Sequence, residues 1–412
     1  MTVRPSSLSV LPIPDGPSAP RRTSERVARH AEILSTQLRS MREAMFAPQS
    51  RKTLRTFTSG EAGRLIGVAD ASLRHLTIDG VGPVPQFLPG GRRAYTLAQM
   101  NELRILFGKR PARDFADFVH RRKAGDKLQV LAVANFKGGS AKTTTALHLA
   151  QYLALQGLRV LAIDLDPQAS LTGMFGYQPE FDIDANETIY GALRYDEARR
   201  PMREVVRSTY FEGLDLVPGN IELMEFEHET PRAMLDRTLR GSNLFFRRIR
   251  AAIDEVADDY DTVVIDCPPQ LGFLTVGALN AATGLLVTIH PQMVDVASMN
   301  QFLLMTADLL EVVEDAGGQL ELDFIRYVVT RHDPNDMPET QIVTLLRSLF
   351  GEDVLQATAC KSTAIANAGL TKQTIYEVER QAVGRAAYDR AFGSMNAVNA
   401  EIFGLMGKVW DR

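Results

Sequence analysis

Short apolar runs alternate with amphipathic stretches through the last two thirds of the chain. Five mostly apolar runs are short enough for buried strands: residues 130–134, 160–163, 263–265, 285–289 and 325–330. Apolar residues at helical spacing separate these runs, as at 145–153, 294–312 and 339–350. Parallel strands that are buried on both faces have this continuous apolar composition. The pattern therefore predicts an α/β domain with a doubly wound, mainly parallel sheet over residues 128–412.

The first 50 residues divide into two segments of different character. Residues 1–22 contain five prolines, and we expect them to be disordered. From Thr23 to Met45 apolar residues recur at helical spacing, which predicts an N-terminal helix within residues 23–50. The apolar stripe of this helix fits two roles equally, a core position or a dimer contact.

Residues 51–108 have the pattern of a small, mainly α domain. Thr58 is placed to cap a first short helix, Gly67 to turn the chain, and residues 69–76 to form a second helix. A glycine turn at residues 90–91 follows. The segment is similar to MerR-type winged helix-turn-helix domains, in which this turn would be the wing.

Side chains that could contact DNA lie on the second helix and on the wing. Ser72, Arg74 and His75 could face a major groove. Arg92 and Arg93 could reach the DNA backbone or the minor groove. A solvated surface charge is the alternative for each arginine, and Arg74 could also tie the helix to the wing.

Charge is unevenly distributed along the chain. The 412 residues carry a formal net charge of −4, yet residues 1–123 contain 21 Lys and Arg against 10 Asp and Glu, a balance of +11, so the remainder carries −15. Residues 109–127 form a basic linker between the two domains. A basic N-terminal third joined to an acidic remainder indicates that the first part binds a polyanion such as DNA.

The composition excludes several classes of protein. The chain is 45% hydrophobic and 23% charged, which is typical of globular proteins, and no apolar run has membrane-spanning length. No signal-peptide pattern opens the chain, and its two cysteines, Cys267 and Cys360, lack a metal-ligand spacing. We therefore expect a cytoplasmic protein that does not bind a membrane.

Residues 137–144 read Lys-Gly-Gly-Ser-Ala-Lys-Thr-Thr and lie between a predicted strand and a predicted helix. Glycines let successive N–H groups converge on an anion, and a helix N-terminus adds its dipole. Lys142 is placed to hold the β- and γ-phosphates of a nucleotide, and the Thr143 hydroxyl to hold Mg²⁺. Phe136 and Ala141 stand where the ordinary phosphate loop has its glycines, so the spacing is that of the deviant form, x-K-G-G-x-x-K-[ST].

Two predicted strands deliver aspartates at their C-terminal ends, where α/β sheets hold their ligands. Asp266 follows the apolar residues 263–265, and a carboxylate there is costly unless it meets a cation, so we expect it to bind Mg²⁺ through water. Asp166, after the strand at 160–163, is the better candidate to orient an attacking water. Capping of the strand ends is the alternative for Asp164 and Asp266.

Three segments together, Lys137 to Thr144, Asp164 to Gln168 and Asp266 to Pro269, resemble the ParA/RepA family of plasmid and chromosome partition ATPases. The resemblance implies ATP and Mg²⁺ as cofactors, with Thr143 and Asp266 as the metal partners. It implies that Lys137, Lys142 and Asp166 are catalytic, and that Lys137 is a signature lysine that reaches the facing subunit of a homodimer. It also implies nucleotide binding by the whole loop, namely Lys137, Gly138, Gly139, Ser140, Ala141, Lys142, Thr143 and Thr144.

The resemblance extends to the C-terminal part of the chain. Residues 357–376 correspond to a region that lies at the nucleotide edge and faces DNA in this family. Lys361 and Lys372 in this region, and Arg331 and Arg347 before it, are candidates for sequence-independent phosphate contacts, with ordinary surface charge as the alternative.

The function that the resemblance implies is DNA partition. An ATP-dependent dimer would bind non-specific DNA at the nucleoid, and a centromere-binding protein of the ParB or RepB kind would stimulate hydrolysis. The winged helix-turn-helix domain would bind operator DNA and repress the protein's own operon. The alternative is a nucleotide-regulated transcriptional repressor without a segregation role. The DNA-binding module disfavours a metabolic P-loop enzyme. A closing helix is predicted near Met395 to Trp410, and its few basic residues disfavour a MinD-like membrane cycle.

Overall fold

The computed structural model describes residues 23–45, 52–110, 114–235, 244–318 and 320–411, with the backbone alone for residues 38–45. The chain divides into two compact units, Met1–Lys52 and Thr53–Arg412. The disorder expected of residues 1–22 lies outside the described residues.

The first unit contains helix α1, Thr23–Met45, which confirms the predicted N-terminal helix. Val27 and Leu34 of its apolar stripe are 62% and 60% exposed. These two side chains are therefore not core residues of the unit, and the dimer contact stays a prediction.

The second unit begins with three helices and a small antiparallel sheet. In chain order these elements are β1 (Phe57–Thr58), α2 (Ser59–Ile66), α3 (Asp70–Ile78), β2 (Gln86–Leu88), β3 (Arg92–Tyr95) and α4 (Leu97–Gly108). The side chains of Thr58 and Glu61 cap the start of α2 reciprocally, and Gly67 ends the helix at a φ of +81°. Helices α2 and α3 and the turn at Gly67 lie where the sequence pattern places them, and the assignment of this segment as a winged helix-turn-helix stays a prediction.

A larger sheet forms the centre of the remaining chain. Its strands are β4 (Gln129–Ala134), β5 (Val160–Asp164), β6 (Arg207–Ser208), β7 (Leu214–Val217), β8 (Thr262–Asp266), β9 (Gly284–Ile289) and β10 (Phe324–Val329). The order across the seven-stranded sheet is β10-β9-β4-β8-β5-β7-β6. Every neighbouring pair is parallel except β6 with β7. Every residue of β4, β5, β8 and β9 is buried, which explains why their sequences are apolar rather than alternating.

Helices cover both faces of this sheet. They are α5 (Lys142–Leu155), α6 (Ser170–Met174), α7 (Pro179–Asp182), α8 (Ile189–Leu193), α9 (Met202–Val205), α10 (Leu223–Leu235), α11 (Arg248–Asp254), α12 (Phe273–Ala281), α13 (Met293–Asp315), α14 (Met337–Phe350), α15 (Thr363–Leu370) and α16 (Arg385–Val409). Leu131 and Val133 of β4 pack in one core with residues of α5 and α16, whereas Val130 and Ala132 pack in another core with residues of α10 to α13. The predicted doubly wound α/β architecture is confirmed.

One of these cores continues into the N-terminal helices of the same unit, because Met100 of α4 belongs to the core that contains Leu153 of α5. Arg104 of α4 is 2% exposed and donates to the carbonyl oxygens of Leu65 in α2 and Leu155 at the end of α5. Burial lowers the pKa of this guanidinium to about 10, so it stays charged at neutral pH. A buried cation thus joins the N-terminal helices to the helix that follows the phosphate loop.

Among the described helices, α13 is long and apolar enough to cross a membrane by length and composition alone, which the sequence analysis did not anticipate. Met299, Phe302 and Val313 are buried along one face of it, and the helix packs against β9. A helix that covers a sheet passes the same test, so the finding is weak grounds for a membrane span.

Candidate functional site

The loop of residues 135–141 joins the buried strand β4 to the N-terminus of α5. The Asn135 side chain holds the start of the loop: its nitrogen donates to Thr288 O, and its oxygen accepts from Lys137 N at 3.0 Å. Because β8 and β9 flank β4, the loop lies between the carboxyl ends of both neighbours. Open α/β sheets bind ligands at this edge.

Side chains donate hydrogen bonds to three carbonyl oxygens of the loop. Three such bonds are Lys142 Nζ to Lys137 O at 3.3 Å, Arg331 Nη1 to Gly139 O at 3.2 Å and Thr330 Oγ1 to Ser140 O at 3.0 Å. Among the described residues, the N–H groups of residues 138–141 make no backbone hydrogen bond of ordinary length and angle, and the first N–H groups of α5, from Lys142 to Thr144, have no partner within the helix. Unpaired N–H groups at a helix N-terminus form an anion-binding site.

Two residues of the loop have left-handed backbone conformations. The φ angle is +79° at Gly139 and +66° at Ala141. This conformation costs an alanine roughly 1–2 kcal/mol, because Cβ approaches the following carbonyl oxygen. Ala141 therefore keeps a glycine-like conformation, with strain, at the position where the ordinary phosphate loop has a glycine.

Lys142 begins α5 and is 7% exposed. Burial lowers the pKa of its ammonium group, and the Asp266 carboxylate acts in the opposite direction. A buried cation is stable only when anions or acceptors surround it. Lys142 lies beside the unpaired N–H groups of the loop, and this position supports phosphate binding by its ammonium group. That role stays a prediction.

Two fully buried carboxylates lie side by side, because Asp164 in β5 and Asp266 in β8 are register partners. Asp164 accepts from Thr172 N at 2.8 Å, from Thr172 Oγ1 at 2.7 Å and from Asp166 N at 3.2 Å. Burial raises its pKa to about 6. These bonds tie β5 to the first turn of α6, which is the capping role that the sequence left open.

Asp266 differs, because neither of its carboxylate oxygens makes a hydrogen bond of ordinary geometry with the described residues, although the nearby Thr143 hydroxyl and Lys142 ammonium act to lower its pKa. Burial and then the nearby Asp164 raise the pKa of Asp266 well above its usual value. A divalent cation would stabilise the ionised form, and Asp266 with the Thr143 hydroxyl offers the oxygen ligands that Mg²⁺ prefers. No group of three or more His, Cys, Asp or Glu side chains among the described residues could hold a metal, so Mg²⁺ would also need phosphate oxygens and water.

Asp166 follows β5 at the same edge of the sheet and is partly exposed. Its Oδ1 accepts from Gln168 N at 2.9 Å. The neighbouring Asp164 is fully buried and bonded to Thr172, so Asp166 is the carboxylate of this strand that solvent can reach. The geometry is compatible with a role in orienting water, which stays a prediction.

Lys137 contacts a residue that the sequence analysis missed. Its Nζ lies 2.6 Å from Oδ1 of Asp295, whose side chain is 4% exposed. The ring of His290 lies between Asp295 and Glu339, with its nitrogens 3.7 and 3.5 Å from their carboxylate oxygens. An acidic residue in the first turn of the apolar helix α13 was the only sequence signal for this contact. A contact of Lys137 with a facing subunit stays a prediction.

His148 supports the first turn of α5 from behind and was also missed. Its Nδ1 lies 2.7 Å from Thr144 O, and Ile375 N donates to its Nε2 at 3.3 Å. Since Nε2 accepts a hydrogen bond, the ring is neutral and Nδ1 carries the proton. Burial lowers the pKa of His148 to about 4. The His148 ring thus connects Thr144, in the first turn of α5, to Ile375. Nothing in the local sequence pattern predicts this connection.

The structure brings three of the predicted DNA-contact residues together. Arg74, Arg92 and Arg93 line one cleft of about 390 Å³ beside the start of α2. Arg74 lies 3.6 Å from Asp70, and both side chains are about half exposed, so this pair holds Arg74 only weakly. Ser72 and His75 lie on α3 but do not line the cleft.

The two C-terminal candidates lie apart from that cleft. Lys361 is exposed, and its backbone N–H donates to His332 O at 3.0 Å. Lys372 has a φ of +53° and donates from Nζ to Tyr177 O at 3.4 Å. Their contacts with DNA stay predictions.

Known proteins resemble this chain over most of its length. Residues 128–315 match the protein family described as AAA domain. The chain is 52% identical to a putative replication protein A of Rhizobium rhizogenes, over 93% of this chain and 95% of that protein. It is 30% identical to protein SopA of Escherichia coli K12, over 87% of this chain and 90% of that protein. It is also 30% identical to the chromosome partitioning protein ParA of Caulobacter vibrioides, over 64% and 92% of the two chains.

Solved structures share the fold. One described as a partition protein matches with a TM-score of 0.64 at 21% identity, over 95% of this chain and 100% of that chain. An ATP complex of a Cyanothece McdA variant matches with a TM-score of 0.53 at 18% identity, over 66% and 97% of the two chains. With the phosphate loop, the strand-end aspartates and relatives that align along most of the sequence, the chain belongs to the ParA/RepA family of plasmid and chromosome partition ATPases.

Proposed function

We propose that this protein binds ATP with Mg²⁺, hydrolyses it, and uses the cycle to partition DNA. The observation that carries the proposal is the buried Asp266, which makes no hydrogen bond of ordinary geometry with the described residues, beside the unpaired N–H groups of residues 138–144. A magnesium nucleotide satisfies both, because its phosphates accept from the N–H groups while its cation faces the carboxylate.

Each residue of the site has a separate role in this proposal. Lys142 balances the charge of the β- and γ-phosphates, and the Thr143 hydroxyl is a metal ligand. Asp266 holds the metal through water, and Asp166 orients the attacking water. Turnover is slow until a partner completes the site.

Dimer formation and DNA binding follow from the same cycle. Lys137 leaves Asp295 and reaches the nucleotide of the facing subunit in an ATP-bound homodimer. The dimer binds non-specific DNA at the nucleoid, with Lys361 and Lys372 among its phosphate contacts. A ParB- or RepB-like centromere-binding protein stimulates hydrolysis and releases the dimer. The relatives named SopA and ParA support this reading.

Operator binding is a second activity of the same chain in the proposal. Three arginines, Arg74, Arg92 and Arg93, line the cleft beside the start of α2. Arginine side chains and helix N-termini are common contacts for DNA phosphates. The protein would then repress its own operon.

A nucleotide-regulated repressor without a segregation role is the second candidate. Buried Arg104 favours it, because the guanidinium bonds α2 of the N-terminal helices and the end of α5 at once. Nucleotide at the start of α5 could therefore change operator binding without any turnover.

The first test measures binding of the full chain to random and operator-region DNA with no nucleotide, ADP or ATP, at two salt concentrations. Random-DNA binding that requires ATP is expected for partition. Operator binding alone, with no effect of nucleotide, would favour the repressor.

The nucleotide site is tested with Lys142→Ala, which should abolish magnesium-nucleotide binding. Lys127→Ala is the matched control, because Lys127 precedes β4 and contacts Asp323 at the opposite end of the strand. Equal nucleotide affinity in Lys142→Ala and the wild type would contradict the site.

Asp166→Ala separates the two candidates. It should keep ATP and DNA bound but slow hydrolysis, so that ATP-bound dimers accumulate. Normal plasmid segregation with this variant would favour the repressor.

The cleft is tested with Arg92→Ala combined with Arg93→Ala, which should weaken operator binding and reduce its salt dependence. Exposed Arg64 of α2 does not line the cleft, so Arg64→Ala is the matched control. An unchanged salt slope in the double variant would show that the cleft does not contact phosphate.

A further inference from the structure

Arg331 follows β10 at the same sheet edge as the phosphate loop and has an unusual backbone. Its φ is +54°, a conformation that strains every residue with a Cβ. Thr330 N donates to Ile289 O at 2.8 Å on one side, and His332 N to Ala359 O at 3.0 Å on the other. The neighbouring residues thus hold the conformation of Arg331 in place. Strained residues that are held by their surroundings cluster at functional sites.

The exposed guanidinium of Arg331 donates from Nη1 to Gly139 O at 3.2 Å. It has no carboxylate within ion-pair distance among the described residues. The adjacent Thr330 donates from Oγ1 to Ser140 O at 3.0 Å. Two consecutive residues after β10 therefore bond two consecutive carbonyl oxygens of the loop.

Because the peptide group is planar, a bond to a carbonyl oxygen of the loop also fixes the direction of the next N–H group. In a trans peptide the carbonyl oxygen of one residue and the N–H of the next point in opposite directions. A bond from Arg331 to Gly139 O therefore orients the N–H of Ser140 away from Arg331. Gly139 has no Cβ and a φ of +79°, so this peptide can rotate more easily than its neighbours.

We propose that Arg331 is a positioning residue for the nucleotide: it orients the Gly139–Ser140 peptide so that the Ser140 N–H faces the phosphates. The inference rests on the proposed nucleotide binding, and it deepens it by adding a residue outside the loop motif. The charge of Arg331 also attracts the phosphates at longer range.

The test measures the Kd of MgADP for the full-length wild type and for Arg331→Met, Arg331→Lys and Arg331→Gly. The Met and Gly variants should bind MgADP about five- to tenfold more weakly, which lies within the range expected for the loss of one typical hydrogen bond. Arg331→Lys keeps a donor and should recover most of the affinity. With ATP as substrate, KM should rise by the same factor while kcat changes less than about twofold.

Urea unfolding separates positioning from folding. Arg331→Gly relieves the backbone strain, so its unfolding midpoint should equal or exceed that of the wild type although its nucleotide affinity falls. Arg347 donates from Nη2 to Gln356 O, so Arg347→Met is the matched control for loss of an arginine–carbonyl bond away from the loop. Its MgADP affinity should not change.

Several results would overturn the inference. One is MgADP affinity within twofold of the wild type for both Arg331→Met and Arg331→Gly. Another is a lower unfolding midpoint in both variants that accounts for their weaker binding. If the wild type itself fails to bind MgADP, the proposed function fails as well.

Discussion

Acid should destabilise this protein through the buried ring of His148. The ring is 2% exposed and already uses both nitrogens, with Nδ1 on Thr144 O and Nε2 accepting from Ile375 N. A proton added to Nε2 would face the Ile375 N–H, so the folded state binds it poorly. Burial accordingly lowers the pKa of His148 from 6.5 to about 4.

The sign and size of the change in unfolding free energy follow from the coupling between proton binding and folding. The pKa is lower in the folded than in the unfolded chain, so the unfolded chain binds the proton first as the pH falls below about 6.5. The contribution of His148 is fully present above that pH and is lost towards pH 4. A shift of about 2.5 units corresponds to about 3 kcal/mol in full, of which about 2 kcal/mol is lost between pH 7.5 and pH 5.

The assay compares urea unfolding of the wild type and His148→Gln at pH 7.5 and pH 5. Glutamine can donate to Thr144 O and accept from Ile375 N without titrating, so the wild type should lose about 2 kcal/mol more than the variant between the two pH values. Exposed His228 gives the control His228→Gln, which should lose stability as the wild type does. Equal losses in the wild type and His148→Gln would refute the reasoning.

Three further predictions concern the loop, the metal aspartate and the junction with the N-terminal helices. Asp266→Asn should remove the effect of Mg²⁺ on nucleotide affinity, because the amide lacks the negative charge that attracts the cation; an unchanged dependence of nucleotide affinity on Mg²⁺ would contradict the role of Asp266 at the metal. Ala141→Gly should raise the free energy of unfolding by about 0.5–1 kcal/mol, because relief of the left-handed strain exceeds the added chain entropy, whereas Ala150→Gly within α5 should lower it by about 1 kcal/mol or more. Arg104→Met should lower the free energy of unfolding in urea by about 2–4 kcal/mol, because two buried carbonyl oxygens lose their donor. The variant should also lose any effect of nucleotide on operator binding. If nucleotide still changes operator binding as in the wild type, Arg104 does not couple the nucleotide site to the DNA-binding helices.

Much of the fold could be predicted from local patterns. The runs that became β4, β5, β8 and β9 are apolar because these strands are buried on both faces. Element ends were harder: the last helix was expected from Met395, but α16 begins at Arg385. Its first turns are held by tertiary packing, as at buried Tyr388, which local periodicity does not report.

The candidate site was only partly predictable. Lys142 and Asp266 were found because a glycine-rich loop and a strand-end carboxylate are local signals. Asp295 was not found as a site residue, and Arg331 was expected only as a contact with DNA phosphates, since the bonds that bring them to the loop join positions more than 150 residues apart in the chain. The parallel sheet places β4, β9 and β10 side by side, and only that arrangement brings their carboxyl ends together.

The sequence by itself determined the order of strands and helices, the loop from Lys137 to Thr144 and the uneven charge. Those properties depend on neighbours within a few turns of chain, where residue spacing sets the geometry. The tertiary structure decided which side chains serve the loop: Asp295 on Lys137, Arg331 on Gly139, and a buried Asp266 without a hydrogen bond of ordinary geometry to the described residues. Burial, pairing and pKa depend on what the whole fold packs around a group, so no local pattern contains them.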